Sequence, residues 1–426
     1  MRKMKDSGVA WLGEIPEDWT VVFNKHLMKK VKCIREKYTG EDVLSLTMKG
    51  VLIRDLDNPS GKMPATFDGY QFVEAGNLLM CLFDIDVTPR CIGLIQNNGV
   101  CSPAYSQFKL NDLADAGYYY YYYLNLDNTK ELLHLAKNLR HSLTEEQFGA
   151  IPTALPPLDV QKKISHKLER KVSEADALIT NVQAQIEKLK TCKQSLITEV
   201  VTKGLDPNVP MKDSGVEWIG EIANTRSVYR LKYLLSTPLQ YGANESGGKY
   251  TNDSVRYIRI TDICADGSLK NDENNQYLSE KVASDYVLND GDVLLARSGG
   301  TVGKSFLYHA EYGASAFAGY LIKADCNRDK LLPEFLVYYT QSSLYDIWKN
   351  MIFVQATIQN IGANKYSNLE IPIPPVDEQR TLVKELKVRC SKIDSLIHIK
   401  QQKIEKLEQY KRSLIYEYVT GKKEVS

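Results

Sequence analysis

The sequence predicts an α+β protein in which two globular mixed α/β domains are separated by two long antiparallel coiled-coil helices, with a pseudo-twofold internal repeat. Three observations lead to this prediction. A twelve-residue segment at 4–15 returns at 211–222 with ten identities. The segment 156–202 returns without a gap as 374–420. The stretches between these segments differ almost everywhere, so the pattern indicates a shared scaffold that carries two unlike middles.

Length and composition are those of an ordinary globular protein. A chain of 426 residues is expected to form two to four domains. Charged residues make up 25% and apolar residues 43% of the chain, and the formal net charge is +1. Since there is no overall basic excess, any surface for nucleic acid has to be local and balanced by acidic faces elsewhere.

The cysteines and histidines show no metal-ligand spacing. The eight cysteines include no C-x-x-C pair, and the six histidines include no H-x-x-x-H pair. We therefore expect no metal site and no disulfides. The chain has neither a signal peptide nor an apolar run of 18 residues, so we expect a cytoplasmic protein without membrane contact.

The first middle, about 20–155, has a mixed α/β pattern. Short apolar runs at 43–47 and 77–83 are typical of buried strands. Gly117 leads into six consecutive tyrosines and a helical pattern that continues to Leu135. Tyrosine is favoured where a ring packs while its hydroxyl stays hydrated, and we interpret the run as packing in preference to DNA contact.

The second middle segment, about 223–373, also has a mixed α/β pattern. The segments 255–260, 292–296 and 315–321 are predicted strands, and 333–348 is a predicted helix that begins at a proline. The segments 76–80 and 291–295 both follow the pattern of a glycine and then a buried strand, so they are predicted to be the same strand in the two copies.

Two heptad segments follow the double prolines at 156–157 and 374–375. A helix over 159–203 would be about 67 Å long, with Asp159 and Asp377 as candidate caps and Gly204 and Gly421 as ends. The apolar residues alternate at spacings of three and four, which is typical of a coiled-coil seam. The seam residues are Ile179, Val182, Ile186, Leu189 and Leu196, and Ile397, Ile404, Leu407 and Leu414.

A long helix with one apolar side cannot bury that side alone. Since the globular segment between the two helices returns the chain to the other end, an antiparallel pair is predicted; an isolated spacer or an oligomerisation helix is the alternative. Lys193 and Lys411 fall at the same seam position, where a cation requires solvent or a partner, and a covering helix bundle is one explanation. The predicted domains are 1–157, helix 158–204, 205–375, and helix and tail 376–426.

The candidate catalytic motifs lack required residues or the required structural context. The segment 298–305 nearly spells a phosphate-binding loop, but Ser298 stands where the first glycine is needed and the following residues do not begin a helix. Glu385 and Lys387 would suit a nuclease only on a strand, and they lie in the heptad helix. No Asn-Pro-Pro-Tyr and no G-x-S-x-G run occurs. The chain is predicted to be non-catalytic by itself.

Basic and polar residues in the two middles are candidate DNA contacts, although for each alone a solvated surface position is the simpler role. In the first domain they are Arg54, Arg90, Lys109 and Arg140. In the second domain they are Lys249, Arg256, Arg259, Arg297, Ser298, Thr301 and Lys304.

In its order of motifs the chain resembles the specificity subunit of type I restriction–modification enzymes. The resemblance rests on Trp-x-Gly-Glu-Ile at 11–15 and 218–222, on the Pro-Pro-x-Asp-x-Gln runs within 155–161 and 373–379, and on 291–304. The first domain departs from the pattern, since Phe83-Asp84-Ile85-Asp86 stands where the second has Arg-Ser-Gly-Gly. Base-contacting residues therefore cannot be transferred between the halves.

The resemblance implies two target recognition domains, each reading one half of a bipartite, asymmetric double-stranded DNA target. It also implies that the long helices set the spacing and dock two methyltransferase subunits, and that restriction and translocase subunits complete the complex. No cofactor is expected in this chain, whereas S-adenosylmethionine and ATP with Mg²⁺ belong to the partner subunits. The alternatives are a stand-alone nuclease or P-loop NTPase, and a coiled-coil adaptor that does not bind DNA.

Overall fold

The structure, a computed structural model, describes residues 3–59, 63–136, 141–264, 267–354 and 359–425. The chain divides into two compact units. Unit 1 comprises Met1–Gln183 and Gln401–Ser426, and unit 2 comprises Ala184–Lys400. Each unit therefore contains one of the two globular parts and a share of both long helices.

Unit 1 is built from twelve strands and three short helices among its described residues, together with its parts of the long helices α4 and α9. The strands are β1 Met4–Asp6, β2 Glu14–Pro16, β3 Thr20–Phe23, β4 Met28–Val31, β5 Leu44–Thr47, β6 Gly50–Ile53, β7 Gln71–Val73, β8 Leu78–Met80, β9 Ile92–Leu94, β10 Gly99–Cys101, β11 Ser106–Leu110 and β12 Pro152–Leu155. The helices are α1 Ala116–Asn128, α2 Glu131–Leu135, α3 Glu145–Gly149 and α4 Leu158–Lys203.

The core of unit 1 lies between an antiparallel sheet and α1. The sheet has the order β4-β11-β8-β9, and the small pairs β1–β2, β3–β12, β5–β6 and β7–β10 surround it. Five of the six consecutive tyrosines at 118–123 are buried, and Tyr120 is half-buried. The hydroxyl of Tyr118 donates to the carbonyl of Val419 at 2.9 Å, and that of Tyr119 donates to the carbonyl of Ala154 at 3.0 Å. The tyrosine run therefore packs the core, as predicted.

Unit 2 repeats this plan with a second small sheet added. Its strands are β13 Met211–Asp213, β14 Glu221–Ala223, β15 Ser227–Arg230, β16 Gln240–Tyr241, β17 Ser254–Ile258, β18 Gln276–Ser279, β19 Val293–Ala296, β20 Ser305–Leu307, β21 Ser315–Phe317, β22 Leu321–Ala324 and β23 Glu370–Ile373. Its helices are α5 Glu280–Ala283, α6 Pro333–Tyr339, α7 Ser343–Val354, α8 Ala363–Ser367 and α9 Val376–Val419.

The central sheet of unit 2 has the order β16-β22-β19-β20, which matches β4-β11-β8-β9 of unit 1. β8 and β19 occupy the same place in the two sheets, so the predicted equivalence of 76–80 and 291–295 is confirmed. Both strands follow a glycine with positive φ, +86° at Gly76 and +92° at Gly291, which a residue with a Cβ rarely adopts.

Two predictions for unit 2 were wrong in their boundaries. The single helix over 333–348 is two helices, because the buried Ser342 side chain donates to the carbonyl of Tyr339 at 2.7 Å and accepts from the amide of Tyr345 at 3.4 Å. A serine at that place ends one helix and caps the next. The single strand over 315–321 is β21 and β22 of different sheets, with a turn between them that Leu321 N closes on Ala318 O at 2.8 Å.

A buried glutamine explains the repeated Pro-Pro-x-Asp-x-Gln motif. In unit 1 the side-chain amide of Gln161 donates to the carbonyls of Pro156 and Leu113, and its oxygen accepts from the amide of Asp115. In unit 2 Gln379 makes the same three contacts, to Pro374 O, Lys330 O and Leu332 N. The motif thus fastens the start of each long helix to the globular part of its own unit.

The long helices begin and end close to the predicted residues. α4 begins at Leu158 and α9 at Val376, so Asp159 and Asp377 lie in the first turns and are not the caps that the sequence suggested. Carboxylates there still interact favourably with the positive end of the helix. Gly204 and Gly421 follow the helix ends with φ of +91° and +70°, as expected for glycine C-caps.

Within each unit the two long helices pair antiparallel. In unit 2 Lys193 Nζ lies 2.7 Å from a carboxylate oxygen of Asp394, and eight residues back along α4 Gln185 accepts from Lys400 at 2.5 Å. The seam residues Val182, Ile186 and Leu414 are buried. The remaining seam residues are half-buried, namely Ile179, Leu189, Leu196, Ile397, Ile404 and Leu407.

The two seam lysines have partners inside their own units. Lys411 pairs with Asp176 in unit 1 as Lys193 pairs with Asp394 in unit 2, and both residues of each pair are related by the internal repeat. A covering helix bundle is therefore not needed to explain a cation at the seam.

Candidate nucleic-acid interface

The loop 297–304 of unit 2, called the arginine loop below, connects β19 and β20. Gly303 N donates to Ala296 O at 2.9 Å, Ala296 N donates to Lys304 O at 2.8 Å, and Val302 N donates to Gly299 O at 3.0 Å. The residues that follow form strand β20 and not a helix. The phosphate-binding loop of an NTPase requires a helix N-terminus at this point, so the arginine loop is a tight hairpin turn and lacks that geometry.

Arg297 is held at the base of this loop. Its guanidinium carbon lies 5.1 Å from the centre of the Tyr241 ring, and its Nε donates to Asn360 Oδ1 at 3.4 Å. The backbone on both sides is fixed as well, because Arg297 N donates to Tyr320 O and Ile361 N donates to Arg297 O, each at 2.9 Å. Stacking on an aromatic ring orients a guanidinium while leaving its edge available for hydrogen bonds.

Exposed rings and open backbone surround Arg297. Tyr320 is 64% exposed and Tyr241 is 41% exposed, although the Tyr241 hydroxyl accepts from the amide of Ala363 at 2.8 Å. Gly299 and Gly300 are exposed, and a Cβ built on either would meet nothing within 4 Å. Cations, rings and accessible backbone amides in one place are the groups with which proteins contact bases and phosphates.

The other predicted residues of unit 2 divide into two groups. Ser298 and Thr301 lie in the arginine loop, Lys304 is exposed at its end, and Lys249 is exposed beside Tyr250. Arg256 and Arg259 form hydrogen bonds within the unit, and their contact with DNA stays a prediction. The Arg256 guanidinium donates to the Lys270 carbonyl.

Arg259 is fixed by a neighbouring carboxylate. Its Nη2 lies 2.8 Å from Asp262 Oδ1 and its Nε lies 3.2 Å from Asp262 Oδ2. Hydrogen bonding to Asp262 raises the pKa of Arg259 above its usual value. This arginine therefore serves the fold at the end of β17.

The corresponding loop of unit 1, residues 81–91 between β8 and β9, has different chemistry. It contains Asp84 and Asp86, and its one arginine, Arg90, is turned inward. Arg90 Nη1 lies 3.1 Å from Asp127 Oδ2 and 3.1 Å from Asn128 Oδ1, at the end of α1. Arg90 fixes this helix end, and its contact with DNA stays a prediction. The loop presents carboxylates where the arginine loop presents cations.

Lys109 of unit 1 stands directly opposite a second lysine. In the register of β4 and β11 it pairs with Lys29, and both side chains are exposed. Like charges at directly opposed positions are destabilising. A surface that keeps two such lysines is suited to an anionic partner, and Lys29 is a residue that the sequence interpretation missed.

The two remaining candidates of unit 1 add little. Arg54 is half-buried just beyond β6, where its amide donates to Val43 O at 2.8 Å. Arg140 lies outside the described residues. In unit 2 the sequence interpretation missed Tyr241, Tyr320 and Asn360, because each reaches Arg297 from a distant part of the chain.

The groups considered for catalysis lack the required geometry in the described part of the chain. No group of three or more His, Cys, Asp or Glu residues there is placed to hold a metal ion. Glu385 pairs with Arg389 along α9 at 2.6 Å, so the residues considered for a nuclease lie on a helix surface. Burial raises the pKa of the Cys91 and Cys101 thiols to about 12, which disfavours the thiolate that a nucleophile requires. Among the described helices, none combines the length and apolar character needed to cross a membrane.

The chain is similar in sequence to known DNA specificity proteins of type I restriction systems. A family model described as the type I restriction modification DNA specificity domain matches residues 236–409. The chain is 27% identical over 285 residues to the type I restriction enzyme MjaVIII specificity subunit of Methanocaldococcus jannaschii, which covers 65% of this chain and 63% of that protein. It is 30% identical over 137 residues to the EcoKI specificity subunit of Escherichia coli K12, which covers 31% of this chain and 28% of that protein.

The fold is also shared with a solved structure. A chain from a study of complex assembly and conformational transition of the type I R-M system superposes with a TM-score of 0.69. The match covers 95% of this chain and 98% of that chain, at 15% sequence identity.

Proposed function

Because this chain belongs to the family of type I restriction–modification specificity subunits, we propose that it is the part of such a complex that recognises DNA. Unit 1 reads one half of a bipartite target in double-stranded DNA, and unit 2 reads the other half. The chain itself carries no catalytic site; methylation and cleavage belong to partner subunits.

One observation carries this proposal: two equivalent hairpin loops on matching sheets differ in charge. The loop 81–91 of unit 1 presents Asp84 and Asp86, whereas the arginine loop of unit 2 presents Arg297 and Lys304. Of the two loops, the second is suited to contact with a phosphate backbone. Two readers with one scaffold and unlike contact surfaces are expected to select unlike sequences, so the target is asymmetric.

The partners follow from this role. Two methyltransferase subunits dock on the paired helices and bring S-adenosylmethionine, and restriction and translocase subunits bring ATP and Mg²⁺. In this proposal the long helices fix the spacing between the two half-sites. Within each unit the seam lysine has its own carboxylate.

The proposal is tested by mapping methylated adenines in a host that carries this chain with its methyltransferase partner. We expect methylation within a single motif that has two unlike specified halves and a nonspecific spacer of fixed length. A host with the methyltransferase partner but without this chain is the control, and it should show no such motif.

Other outcomes would contradict the proposal. A continuous or palindromic motif would show that the two units do not read separate, unlike half-sites. The adaptor alternative predicts that the assembled complex has no affinity for duplex DNA even at low salt, where phosphate contacts are strongest. A stand-alone nuclease or NTPase would cleave DNA or hydrolyse ATP as the purified chain.

A further inference from the structure

Arg297 of unit 2 is held in position through only part of its guanidinium group. Its Nε donates to Asn360 and its guanidinium lies on the Tyr241 ring, but Nη1 and Nη2 have no partner among the described residues. The side chain is therefore held in place while two of its donors remain open.

The other arginines in the globular part of unit 2 differ, since each has a carboxylate or a backbone carbonyl as a partner. Arg226 pairs with Glu378, Arg230 with Glu370, Arg256 with the carbonyl of Lys270, Arg259 with Asp262, and Arg328 with Asp290. Among the described residues of this region, Arg297 combines a fixed position with two terminal nitrogens that have no partner.

A fixed pair of parallel N–H donors matches one base edge in the major groove. Guanine presents O6 and N7 as adjacent acceptors, and arginine binds both at once. Lysine carries a point charge and cannot reproduce this two-pronged geometry. Because Tyr241 and Asn360 already restrict the guanidinium, little side-chain freedom remains to be lost on binding.

The surroundings suit a duplex at this place. The exposed Gly299 and Gly300 leave the loop backbone free to approach DNA, and Lys304 lies at its end, where a phosphate contact needs a cation. The Lys349 stem packs against Gly303, but its Nζ is 2.6 Å from Asp346 and is thereby engaged. Arg297 is thus flanked by groups that position DNA without selecting a base.

We propose that Arg297 is a specificity-determining residue, and that it recognises a guanine in the half-site read by unit 2. Tyr241 and Asn360 are its positioning residues. This inference rests on the proposed function, and it assigns a base to one side chain, which that proposal does not.

The first test maps methylated motifs for the complex assembled with Arg297→Lys and with Arg297→Ala. We expect one G·C position in one half of the motif to become unspecified, with discrimination there reduced about 5- to 150-fold. The other half and the spacer length should stay unchanged. Lys304→Gln is the matched control in the same loop, and it should lower methylation evenly without altering the motif.

The second test covers the case in which Arg297→Ala abolishes methylation altogether. The wild-type complex is titrated with duplexes that carry 7-deazaguanine, which lacks the N7 acceptor, at each guanine in turn. We expect one position to weaken wild-type binding, and we expect the Arg297→Lys complex to be insensitive at that position.

Three results are decisive, and they separate the role of Arg297 from the proposed function. In one result, the wild-type complex has a bipartite motif and the Arg297→Ala complex methylates it with unchanged base requirements. This would overturn the role of Arg297 and leave the proposed function standing. Equal sensitivity of the wild-type and Arg297→Lys complexes to every 7-deazaguanine position would also overturn it. A wild-type complex without any bipartite motif would instead overturn the proposed function.

Discussion

Trp19 in unit 1 and Arg226 in unit 2 occupy the same position of the internal repeat, and both are fully buried. Trp19 lies against Gly421 at the end of α9. Arg226 lies at the end of α4, where its Nε and Nη2 donate to the carbonyls of Thr202 and Val200 at 2.5 and 2.9 Å. One unit thus covers its helix end with an aromatic ring, and the other covers it with a cation that satisfies the last carbonyls.

The residues opposite these two differ in a matching way. Arg226 Nη1 lies 3.3 Å from Glu378 Oε1 in the first turn of α9. The repeat places Val160 at the corresponding position of α4, and Val160 packs against the apolar cluster that contains Trp19. A buried cation requires a nearby anion, whereas a buried ring requires an apolar neighbour, so the two residues of each pair suit each other.

A second site in the central sheets shows the same exchange. In unit 1 the amide of Asn77 donates to Gln107 at 3.0 Å. In unit 2 the equivalent residues are Asp292 and Lys323, with 3.9 Å between carboxylate oxygen and Nζ. The units have therefore diverged in their cores as well as in their loops, and single substitutions copied from one unit to the other should fail.

The largest effect is expected from Arg226→Ala. It leaves Glu378 and two helix-end carbonyls without their partner, and we expect a loss of about 3 kcal/mol in the free energy of unfolding. This value is at the low end for a broken buried pair, because Glu378 remains about one third exposed. Urea unfolding with hydrogen–deuterium exchange on peptides of unit 2 measures the loss.

The double variant Arg226→Trp with Glu378→Val installs the pair of unit 1 and should recover a substantial part of that loss. Arg226→Trp alone is its control, and it should be less stable than the double variant. If the double variant were no more stable than the single one, the two pairs would not be alternative solutions to the same packing requirement.

Local and repeated patterns made much of this fold predictable. The heptad spacing predicted two helices, and the return of the chain between them predicted their antiparallel pairing. Asp159 shows how far such patterns define a helix end. A shift of one residue in the start of the helix decides whether this residue is the cap or lies in the first turn. Ser342 shows another limit, since an apolar pattern does not reveal a serine whose side chain ends one helix and starts the next.

The candidate site was predictable only where its signal was local. Arg297 was identified because it lies beside glycines in a short loop. Tyr241 and Asn360 were missed, because their contacts with Arg297 depend on the tertiary fold. The ion pair of Arg90 was missed for the same reason, since its partner Asp127 is 37 residues away. A basic residue in a sequence does not reveal whether a carboxylate has already engaged it.

A smaller and equal effect in the two units is expected at the glutamines that fasten the long helices. Gln161→Leu and Gln379→Leu each leave two carbonyls and one amide without a partner, and we expect about 2–3 kcal/mol from each. Exchange protection should fall at the start of α4 in the first variant and at the start of α9 in the second. Gln183→Leu, on the exposed side of α4, controls for the loss of a glutamine alone.

A marked difference between the stability losses of the two variants would contradict the equivalence of the two glutamines. It would show that the repeated motif is held differently in the two units despite identical contacts.

The smallest effect concerns pH, at the pair Asp292 and Lys323. Burial raises the pKa of Asp292, while the Asn289 amide and Lys323 counteract part of the rise. The folded protein therefore holds this proton more tightly than the unfolded chain, whose aspartate has a pKa of about 3.9. As pH rises upward from about 4, the folded state loses this advantage, and the free energy of unfolding declines until Asp292 is ionised in both states.

The double variant Asp292→Asn with Lys323→Gln installs the neutral pair of unit 1 and lacks this titration. We expect the stability of the wild-type protein relative to this variant to fall as pH rises from about 4, and then to level off. Urea midpoints measured for both proteins across that range give the difference, in which all other titrating groups cancel. A difference that stays constant would mean that Lys323 offsets the effect of burial. A difference that grows with pH would mean that Lys323 outweighs burial and that the charged pair is the stable form.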